Sequence, residues 1–502
     1  MRLGIAGVSI FIYLIAAVPS LRAEVNRDEL LGKVKTSSFN HSLFKDRITR
    51  LRSRLERDTI AMTEEECIKK AIASNPIVRQ AQYEIESQEK ALMSARFGWM
   101  PKLSISGTPV FGKYWDSTTK IPIKSSVEGV KLNKTEQFSD NYYNYVSADI
   151  GWTFLDIPRD KRIQQRLNNL QQYKSLYNLV VRDLIRDVQL VYARLQANLL
   201  ALNKYGEIVE ASSKAVSVLE SQYKVKYVSL ADVSNARTQQ LNVMETYLSL
   251  YGQIESDSAK LAGLIGYSDN TFVIAKGDIT EPGQWQMNFN DSIEAAKLQN
   301  DKYKALKLSS RAQAAQAESL IWSTLPKLFV KLSGYYQGNR GYYDADVRYP
   351  NKEYDNATTR YYEGYAGIGF TINFDGGMSI LEGQSVELQS KVTNEKALSA
   401  QISYVESVKM AYENLDIDRL RVEAARSAVN EAENVGLVMN AVSSLGLVDT
   451  LQQVQSIELY ENAVIGLVTA LLSAKTSEVN LYRYTSTLPE ELEGIKLYKI
   501  GL

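Results

Sequence analysis

Side chains that commonly carry catalysis are scarce in this sequence. The chain holds one histidine, His41, and one cysteine, Cys67, so neither an internal disulfide nor a Cys/His zinc cluster can form. We interpret His41, in a charge-rich stretch, as a solvated surface residue, and Cys67, in a helical pattern, as a small buried one. A carboxylate-dependent hydrolase stays open as an alternative, although no paired acids mark a pocket. The sequence predicts a protein that is not an enzyme and has no cofactor or metal.

The charge balance gives no net field that would attract nucleic acid or an acidic substrate. Lys plus Arg and Asp plus Glu number 58 each. Tyrosine dominates the aromatic residues, with 31 Tyr against 12 Phe and 5 Trp. Rings with an apolar body and a polar tip are typical of girdles at a membrane interface, although Tyr-rich surfaces also occur in soluble binding proteins.

The N-terminus has the pattern of a secretory signal. A basic start is followed by an apolar run, residues 3–18, and by small residues before a cut expected after Ala23. A retained membrane anchor is the alternative, but the run is marginal in length and ends at Pro19. No cysteine follows for lipid attachment, and beyond residue 23 we expect no membrane-spanning helix.

Several short motifs occur twice in the chain, about 220 residues apart. "GWMPKLSISG" at 98–107 returns as "STLPKLFVKLSG" at 323–334, so that Pro101 aligns with Pro326. "IGWT" at 150–153 returns as "IGFT" at 368–371, and "LADV" at 230–233 returns as "LVDT" at 447–450. Because the matches keep the same order in both halves, we predict a duplicated structural unit.

Each half opens with helix signals. The first helix is expected from Thr63, which begins the capping box Thr63-Glu-Glu-Glu66, to about Arg96, with a second cap at Asn75-Pro76. The second is expected from Asp291 to Trp322. Pro101 and Pro326 then mark the two junctions from helix to strand.

Two stretches with period-two alternation follow in each half, which predicts strand pairs at about 102–155 and 327–374. Polar loops rich in Tyr, Asn, Asp and Gly are expected at 114–141 and 338–360. Either a soluble sandwich or a membrane barrel gives one apolar and one polar face. The apolar members are Leu103, Ile105, Val146, Ala148, Ile150, Trp152, Phe154, Leu328, Val330, Leu332, Ala366, Ile368, Phe370, Ile372 and Phe374.

Long helices follow the strands. From 167 to 219, steps of three and four residues give sixteen positions, of which thirteen are Leu, Val or Tyr. This heptad pattern predicts a coiled-coil helix of about 65 residues, roughly 100 Å long. A less regular helix is expected at about 377–440, and returning helices at about 230–263 and 447–485.

These signals divide the chain into six segments. They are a signal peptide (1–23), an N-terminal extension (24–60) with a short amphipathic helix, a first repeat (61–267), an inter-repeat linker (268–289), a second repeat (290–488) and a C-terminal tail (489–502). Four strands cannot close a barrel, and an open sheet edge in lipid leaves backbone groups unsatisfied. We therefore predict a homo-oligomer. A secreted coiled-coil stalk or adhesin with small β caps remains the alternative.

Over residues 60–488 the sequence resembles the TolC-type outer-membrane efflux family, or outer-membrane factors. The resemblance rests on the duplicated halves, on "NP" at 75–76, on the two "PKL" phrases and on "FDGG" at 374–377. "SLADVSNARTQQL" at 229–241 and "GLVDTLQQVQSIEL" at 446–459 add to it. The strand-to-helix junction of the second half then falls at Asp375, Gly376 and Gly377.

The resemblance implies a mainly α fold with a β-barrel part. Three copies, with four strands each, would form one 12-stranded transmembrane barrel in the outer membrane of a Gram-negative-type bacterium, continued by a coiled-coil α-helical barrel across the periplasm. Such proteins are passive exit ducts for efflux or type I secretion. Their partners are a periplasmic adaptor (membrane fusion) protein and an inner-membrane pump of the resistance-nodulation-division or ABC type.

The resemblance also implies a periplasmic pore constriction just after the helix-to-helix turns, near 227–230 and 441–447. Asp232 and Asp449 match the family's aspartates. Gln452 stands where a second aspartate can occur, and Leu445 replaces an arginine, which puts the family's salt-bridge latch in doubt. A carboxylate in the first turn of a helix also complements the helix dipole, so a purely structural role stays open beside cation selection by a carboxylate ring.

Overall fold

The computed structural model describes residues 46–50, 53, 59–107, 112–120, 135–267, 271–344, 357–444, 450–492 and 494–501. The chain divides into two compact units, Met1–Arg57 and Asp58–Leu502. In the first unit residues 46–50 are helical. They lie where Phe44, Ile48, Leu51 and Leu55, at steps of four, three and four, predict the short amphipathic helix of the N-terminal extension. His41 and the predicted signal segment lie outside the described residues.

The second unit combines helices of very different lengths with two sheets. Its strands are β1 (Thr59–Met62), β2 (Lys102–Ser106), β3 (Gly112–Lys120), β4 (Thr135–Leu155), β5 (Phe272–Ala275), β6 (Lys327–Asp344) and β7 (Ala357–Thr371). Its helices are α1 (Glu64–Ser74), α2 (Pro76–Phe97), α3 (Pro158–Lys224), α4 (Leu230–Ile265), α5 (Phe289–Leu298), α6 (Asp301–Ile321), α7 (Met378–Ser444) and α8 (Thr450–Thr485).

The order of elements runs twice through the same sequence of two helices, strands, a long helix and a returning helix. Helices α3 and α7 have 67 residues each, and α4 and α8 have 36 each. The same order of elements in both halves is what the predicted duplication would produce.

The helix before the strands is broken in both halves by an asparagine cap. The Asn75 side chain accepts a hydrogen bond from the Ile77 amide at 2.9 Å, and Asn300 accepts one from the Tyr303 amide at the same distance. The prediction of a single helix from Asp291 to Trp322 is therefore wrong. Asn300 starts a new helix there because its side chain satisfies an amide that has no intrahelical partner.

The larger sheet is antiparallel, in the order β2-β4-β6-β7, with β3 also paired to β4. Since β6 occupies one edge of β4, β2 and β3 share the other edge and together take the place of one strand. The four strand positions predicted from the sequence are therefore present.

The strand register confirms the predicted alternation. Leu103 pairs with Ile150, Ile150 with Leu332 and Val330 with Ile368, so the apolar residues of all four strand positions share one face. The opposite face holds Ser104, Asp149, Ser333 and their neighbours in register. The apolar face is open: Ile368 is 77% exposed and Ile105 is 68% exposed.

The predicted loops at 114–141 and 338–360 are shorter than expected. Strands β3, β4, β6 and β7 extend into them, and only residues 121–134 and 345–356 between these strands lie outside the described residues. Tyr and Thr are frequent at the strand ends, and both fit extended backbone well. The polar composition of these stretches suggested loops, but backbone pairing continues through them.

A small parallel sheet was not predicted. Strand β1 pairs with β5, with Ile60 opposite Val273, and thus joins the end of the N-terminal extension to the inter-repeat linker. The Tyr192 hydroxyl of α3 donates to the carbonyls of Met62 and Lys276 at 3.1 and 3.0 Å and anchors this sheet to the long helix.

Helix α3 is the centre of the packing. Of the sixteen heptad positions between 167 and 219, eleven are buried and four are partly buried, which confirms the coiled-coil prediction. Helices α1, α2, α4, α6 and α8 all pack against α3. A core cluster between α3, α4 and α8 consists of Ala201, Tyr205, Ile208, Ala215, Val243, Leu250, Ile457 and Val464.

Helix α7 packs on one side only, mainly against α6 and α8. Its buried positions recur at steps of three and four but are mostly small or polar. The longest regular part of this stripe is Ser390, Thr393, Ala397, Ala400, Tyr404, Val408, Ala411, Leu415, Asp418 and Val422. The helix appeared irregular in the sequence because a search for large apolar residues does not register Ser, Thr and Ala.

Candidate functional site

The first helix-to-helix turn is a Schellman motif. The Tyr227 amide donates to the Gln222 carbonyl and the Lys226 amide donates to the Tyr223 carbonyl, both at 2.9 Å. Lys226 has a φ of 61°, in the left-handed region that favours glycine. The chain reverses direction within residues 225–229, and Ser229 lies at the start of α4.

Asp232 is part of a capping box at the start of α4. Its carboxylate accepts hydrogen bonds from the Ser229 amide at 2.9 Å and from the Ser229 hydroxyl at 2.7 Å, and the Asp232 amide donates to that hydroxyl at 3.2 Å. The hydroxyl and amide of Ser229 lower the pKa of Asp232 below its usual value. These contacts hold a partly exposed, ionised carboxylate beside the turn, and such capping is the structural role that the sequence left open for Asp232.

The second turn is described only in part. Residues 445–449, and with them Leu445 and Asp449, lie outside the described residues. Gln452 is exposed and is the third residue of α8, as Asp232 is the third residue of α4. The sequence spacing pairs Asp232 with Asp449.

The two hairpins are joined at Glu461, a residue that the sequence analysis did not single out. Its carboxylate accepts hydrogen bonds from the Tyr205 hydroxyl of α3 at 3.1 Å and from the Gln239 amide of α4 at 2.9 Å. Burial raises the pKa of Glu461 despite these two donors. A tyrosine at a heptad position, 205, was the signal in the sequence, since a buried phenol hydroxyl needs a partner.

Within the first hairpin, an ion pair ties the long helix to the returning one. The Arg237 guanidinium binds the Glu220 carboxylate through both Nη2, at 2.6 Å, and Nε, at 3.1 Å. The Gln240 side chain donates to the Ser213 hydroxyl at 3.1 Å. These contacts hold α3 and α4 together next to the turn.

The opposite ends of the long helices carry the junctions with the strands. Pro101 and Pro326 each stand directly before a strand, β2 and β6. In the second half the Asp375 carboxylate accepts hydrogen bonds from the Gly377 amide at 3.1 Å and from the Ser379 amide at 3.0 Å. Gly376 and Gly377 have φ values of 68° and 92°, which a side chain would strain.

The first half uses Asp156 at the matching junction, which sequence analysis missed. Its carboxylate binds Arg162 and lies 3.9 Å from both Arg159 and Lys327. The last contact joins the two halves of the chain at the base of the sheet. Nearby, the Trp152 indole donates to the Trp99 carbonyl at 2.9 Å.

The residues suited to nucleophilic or metal chemistry do not form a site in the described part of the chain. Cys67 is fully buried, as predicted, and burial together with Glu66 and Glu64 raises the pKa of its thiol to about 12. Among the described residues, no group of three or more His, Cys, Asp or Glu side chains is placed to hold a metal ion.

One helical segment has the length and composition of a membrane span, contrary to the expectation that none follows residue 23. It is Gln452–Thr485 in α8, with a mean hydropathy of 1.4. Only 28% of the 18-residue stretch that gives this hydropathy is buried within the chain. Because α8 packs along α7 and α3, its apolar residues also serve helix packing.

Comparison with solved structures shows which known proteins share this fold. The structure of the CmeC outer membrane channel of Campylobacter jejuni aligns with a TM-score of 0.64 at 12% identity, covering 84% of this chain and 85% of that one. VceC of Vibrio cholerae aligns with a TM-score of 0.61 at 14% identity over 84% and 96%. MtrE of Neisseria gonorrhoeae, an outer membrane channel, gives 0.60 at 14% over 84% and 89%.

The fold is thus that of outer-membrane channels, and the prediction of a mainly α fold with a β-barrel part is confirmed. In sequence, residues 67–267 match the model of the outer membrane efflux protein family. The resemblance found in the sequence is therefore confirmed, by the family match over these residues and by the fold over most of the chain. No curated protein matches the chain.

Proposed function

We propose that three copies of this chain form a passive exit duct through an outer membrane. The observation that carries the proposal is the larger sheet, which has an open apolar face on one side and a polar face on the other. Phe370 and Ile368 on the apolar face are 68% and 77% exposed. Lipid on one side and water on the other is the environment that matches this alternation.

The open edges of the sheet support assembly. Among the described residues, β7 pairs with β6 alone, and β2 and β3 pair with β4 alone. Backbone groups at such edges have no partners in lipid. Pairing β7 of one copy with β2 and β3 of the next removes the edges, and the four strand positions of three copies give the twelve-stranded barrel that the resemblance implies.

The long helices extend the duct away from the membrane. Helices of 67 residues span roughly 100 Å at 1.5 Å per residue. The exposed side of α7 carries apolar residues at near multiples of 3.6 residues, which suits packing against a neighbouring copy. These residues are Leu381, Leu388, Val392, Ile402, Met410, Ile417 and Leu420.

The helix-to-helix turns form the far end of the duct in this proposal. Asp232 and Asp449, three times each, would surround the narrowest part of the pore, with Gln452 beside them. Carboxylate rings favour cations over anions. The hydrogen bonds of Tyr205 and Gln239 to Glu461 would keep the hairpins of one copy together while the end is closed.

Partners and location follow from the family resemblance. The protein would lie in the outer membrane of a Gram-negative-type bacterium and extend into the periplasm. There it would meet a periplasmic adaptor and an inner-membrane pump of the resistance-nodulation-division or ABC type, which supplies the energy. The cargo would be small toxic molecules or, as in some systems, proteins.

Cell fractionation followed by electrophoresis tests the assembly. We expect the mature chain in the outer membrane, released only by detergent, and migrating as a trimer that becomes a monomer on heating. A secreted stalk would extract without detergent and would show a monomer before and after heating, and this result would overturn the proposal.

Planar-bilayer recording tests the pore end. Replacing both Asp232→Ala and Asp449→Ala should weaken cation selectivity and block by divalent cations. Ser229→Ala removes a capping contact but leaves both carboxylates, so it should leave selectivity unchanged. Equal selectivity in the double variant and the wild type would assign the two aspartates to helix capping alone.

A further inference from the structure

The polar face of β7 carries two tyrosines on either side of a carboxylate. Tyr361, Glu363 and Tyr365 alternate with outward-facing residues and lie opposite Gln337, Tyr335 and Ser333 of β6. Residues two apart on one strand face are roughly 7 Å apart. The three side chains therefore form a continuous patch, which we call the Tyr-Glu-Tyr patch.

The carboxylate of the patch is fixed by a tyrosine from the neighbouring strand. The Tyr335 hydroxyl donates to Glu363 Oε2 at 2.5 Å. The Tyr335 ring stacks on Tyr361, with centroids 5.8 Å apart and planes at 30°, and on Tyr145 of β4, also at 5.8 Å. This row of three rings across three strands holds Glu363 and Tyr361 in place.

The other tyrosine lies flat on the sheet. A Cβ atom at Gly367 would come within 2.4 Å of the Tyr365 hydroxyl oxygen, so the ring runs along the strand over the bare glycine. Tyr365 is 55% exposed and Tyr361 is 52% exposed. Both therefore present open ring surface: Tyr361 next to the Tyr335–Glu363 pair, and Tyr365 along the strand in the direction away from Glu363.

We propose that the Tyr-Glu-Tyr patch binds organic cations, such as quaternary ammonium compounds, as they pass through the duct. Aromatic faces attract a cation within about 6 Å of the ring centroid, and a carboxylate supplies the opposite charge. An organic cation that rests on the Tyr361 ring lies within reach of Glu363, and the Tyr365 ring offers a second aromatic face further along the same strand. The inference rests on the proposed function, which makes this face the lining of the pore.

A lysine on the same face of the sheet lies at one end of the patch. Lys331 lies opposite Gly367, the glycine under the Tyr365 ring. Its ammonium is 3.9 Å from the Asp149 carboxylate, which holds it toward β4. Lys331 is therefore directed to Asp149, whereas Glu363, between the two tyrosines, accepts its hydrogen bond from Tyr335.

The chain offers a matched control on the other face of the same strands. Tyr336 and Tyr362 are also paired across β6 and β7, with ring centroids 5.1 Å apart. They alternate with Tyr335 and Tyr361 and therefore point to the apolar face. Tyr362 is 71% exposed, so its replacement changes an equally accessible ring away from the proposed pore.

The test is block of single-channel current by benzyltrimethylammonium in a planar bilayer, using the full-length mature protein. The wild type should be blocked reversibly, and Tyr361→Leu with Tyr365→Leu should raise the half-blocking concentration roughly tenfold. Glu363→Gln should weaken block severalfold. Tyr362→Leu should stay within about twofold of the wild type, and the double Phe variant, which keeps both rings, should retain block.

Two results would overturn the inference, and they differ. If the channel conducts and its block is the same in the wild type, the double Leu variant and Glu363→Gln, the patch does not bind the cation. This result would leave the proposed duct unaffected. A purified trimer that inserts into the bilayer but opens no pore would contradict the duct, and the patch with it.

Discussion

Helices α3 and α7 are equal in length but differ in their surroundings. Both have 67 residues and lead from a strand to a hairpin turn. Helix α3 is packed against five other helices and buries large apolar residues, whereas α7 buries a stripe of small residues and exposes a row of apolar ones. The two long helices thus differ in position, one central and one peripheral, and in the proposed trimer the exposed row of the peripheral helix would face a neighbouring copy.

The largest effect is expected in the centre of α3. Leu195 is fully buried, so Leu195→Ala should lower the free energy of unfolding by about 2–5 kcal/mol through lost burial and a remaining cavity. Thermal unfolding in detergent measures the change. Leu167→Ala, at a heptad position that is 40% exposed, should cost less than about 1 kcal/mol. Equal costs at both positions would contradict the central role of α3.

The exposed row on α7 should control assembly rather than folding. Ile417 is 55% exposed in the single chain, and Ile417→Lys would place a charge in the proposed contact between copies. We expect trimer dissociation to rise more than roughly tenfold. Electrophoresis without heating and light scattering in detergent give the measurement.

Asp416→Lys is the control for that variant, because it puts the same side chain one residue away and about 100° around the helix. It should leave the trimer unchanged. If both lysines disrupt the trimer equally, or neither does, the exposed row of α7 is not the contact surface.

The link between the two hairpins should depend on pH. Because the pKa of Glu461 is raised by burial, the folded state holds the Glu461 proton more tightly than the unfolded chain. Its contribution to stability is complete below the unfolded pKa of about 4.3 and is lost as pH rises through the folded pKa. Glu461→Gln should remove this dependence, with a change of about 1 kcal/mol or less.

Thermal unfolding between about pH 4 and 8 measures the effect as the difference between the wild type and the variant. Glu245→Gln, at an exposed position of α4, is the control and should keep the wild-type pH profile. A Glu461→Gln profile parallel to that of the wild type would exclude Glu461 as the titrating group.

The smallest effect is expected at the first turn. Lys226 has a φ of 61°, a conformation that costs a non-glycine residue roughly 1 kcal/mol. Lys226→Gly should therefore stabilise the hairpin by a few tenths of a kcal/mol, up to about 1. Val225→Gly, where φ is −90°, should destabilise it instead. Destabilisation by both substitutions would show that the Lys226 side chain has a role of its own.

The sequence by itself determined the duplicated order of elements, the long coiled-coil helix and the alternation of the strands. The order of elements followed from motifs repeated about 220 residues apart. The other two features follow from local periodicity: heptad spacing places large apolar residues on one side of α3, and period-two spacing places Ile150 and Leu332 on one face of the sheet. The caps at Thr63 and Asn75 were also readable, since they depend on neighbours within three residues.

Tertiary structure decided what local patterns do not contain. Asp156 and Lys327 meet from different halves of the chain, and Glu461 joins Tyr205 and Gln239 from two other helices. In the Tyr-Glu-Tyr patch, the Glu363 carboxylate is fixed because the pairing of β6 with β7 places Tyr335 opposite it. Such contacts depend on how distant segments are brought together, so the spacing within any single segment cannot specify them.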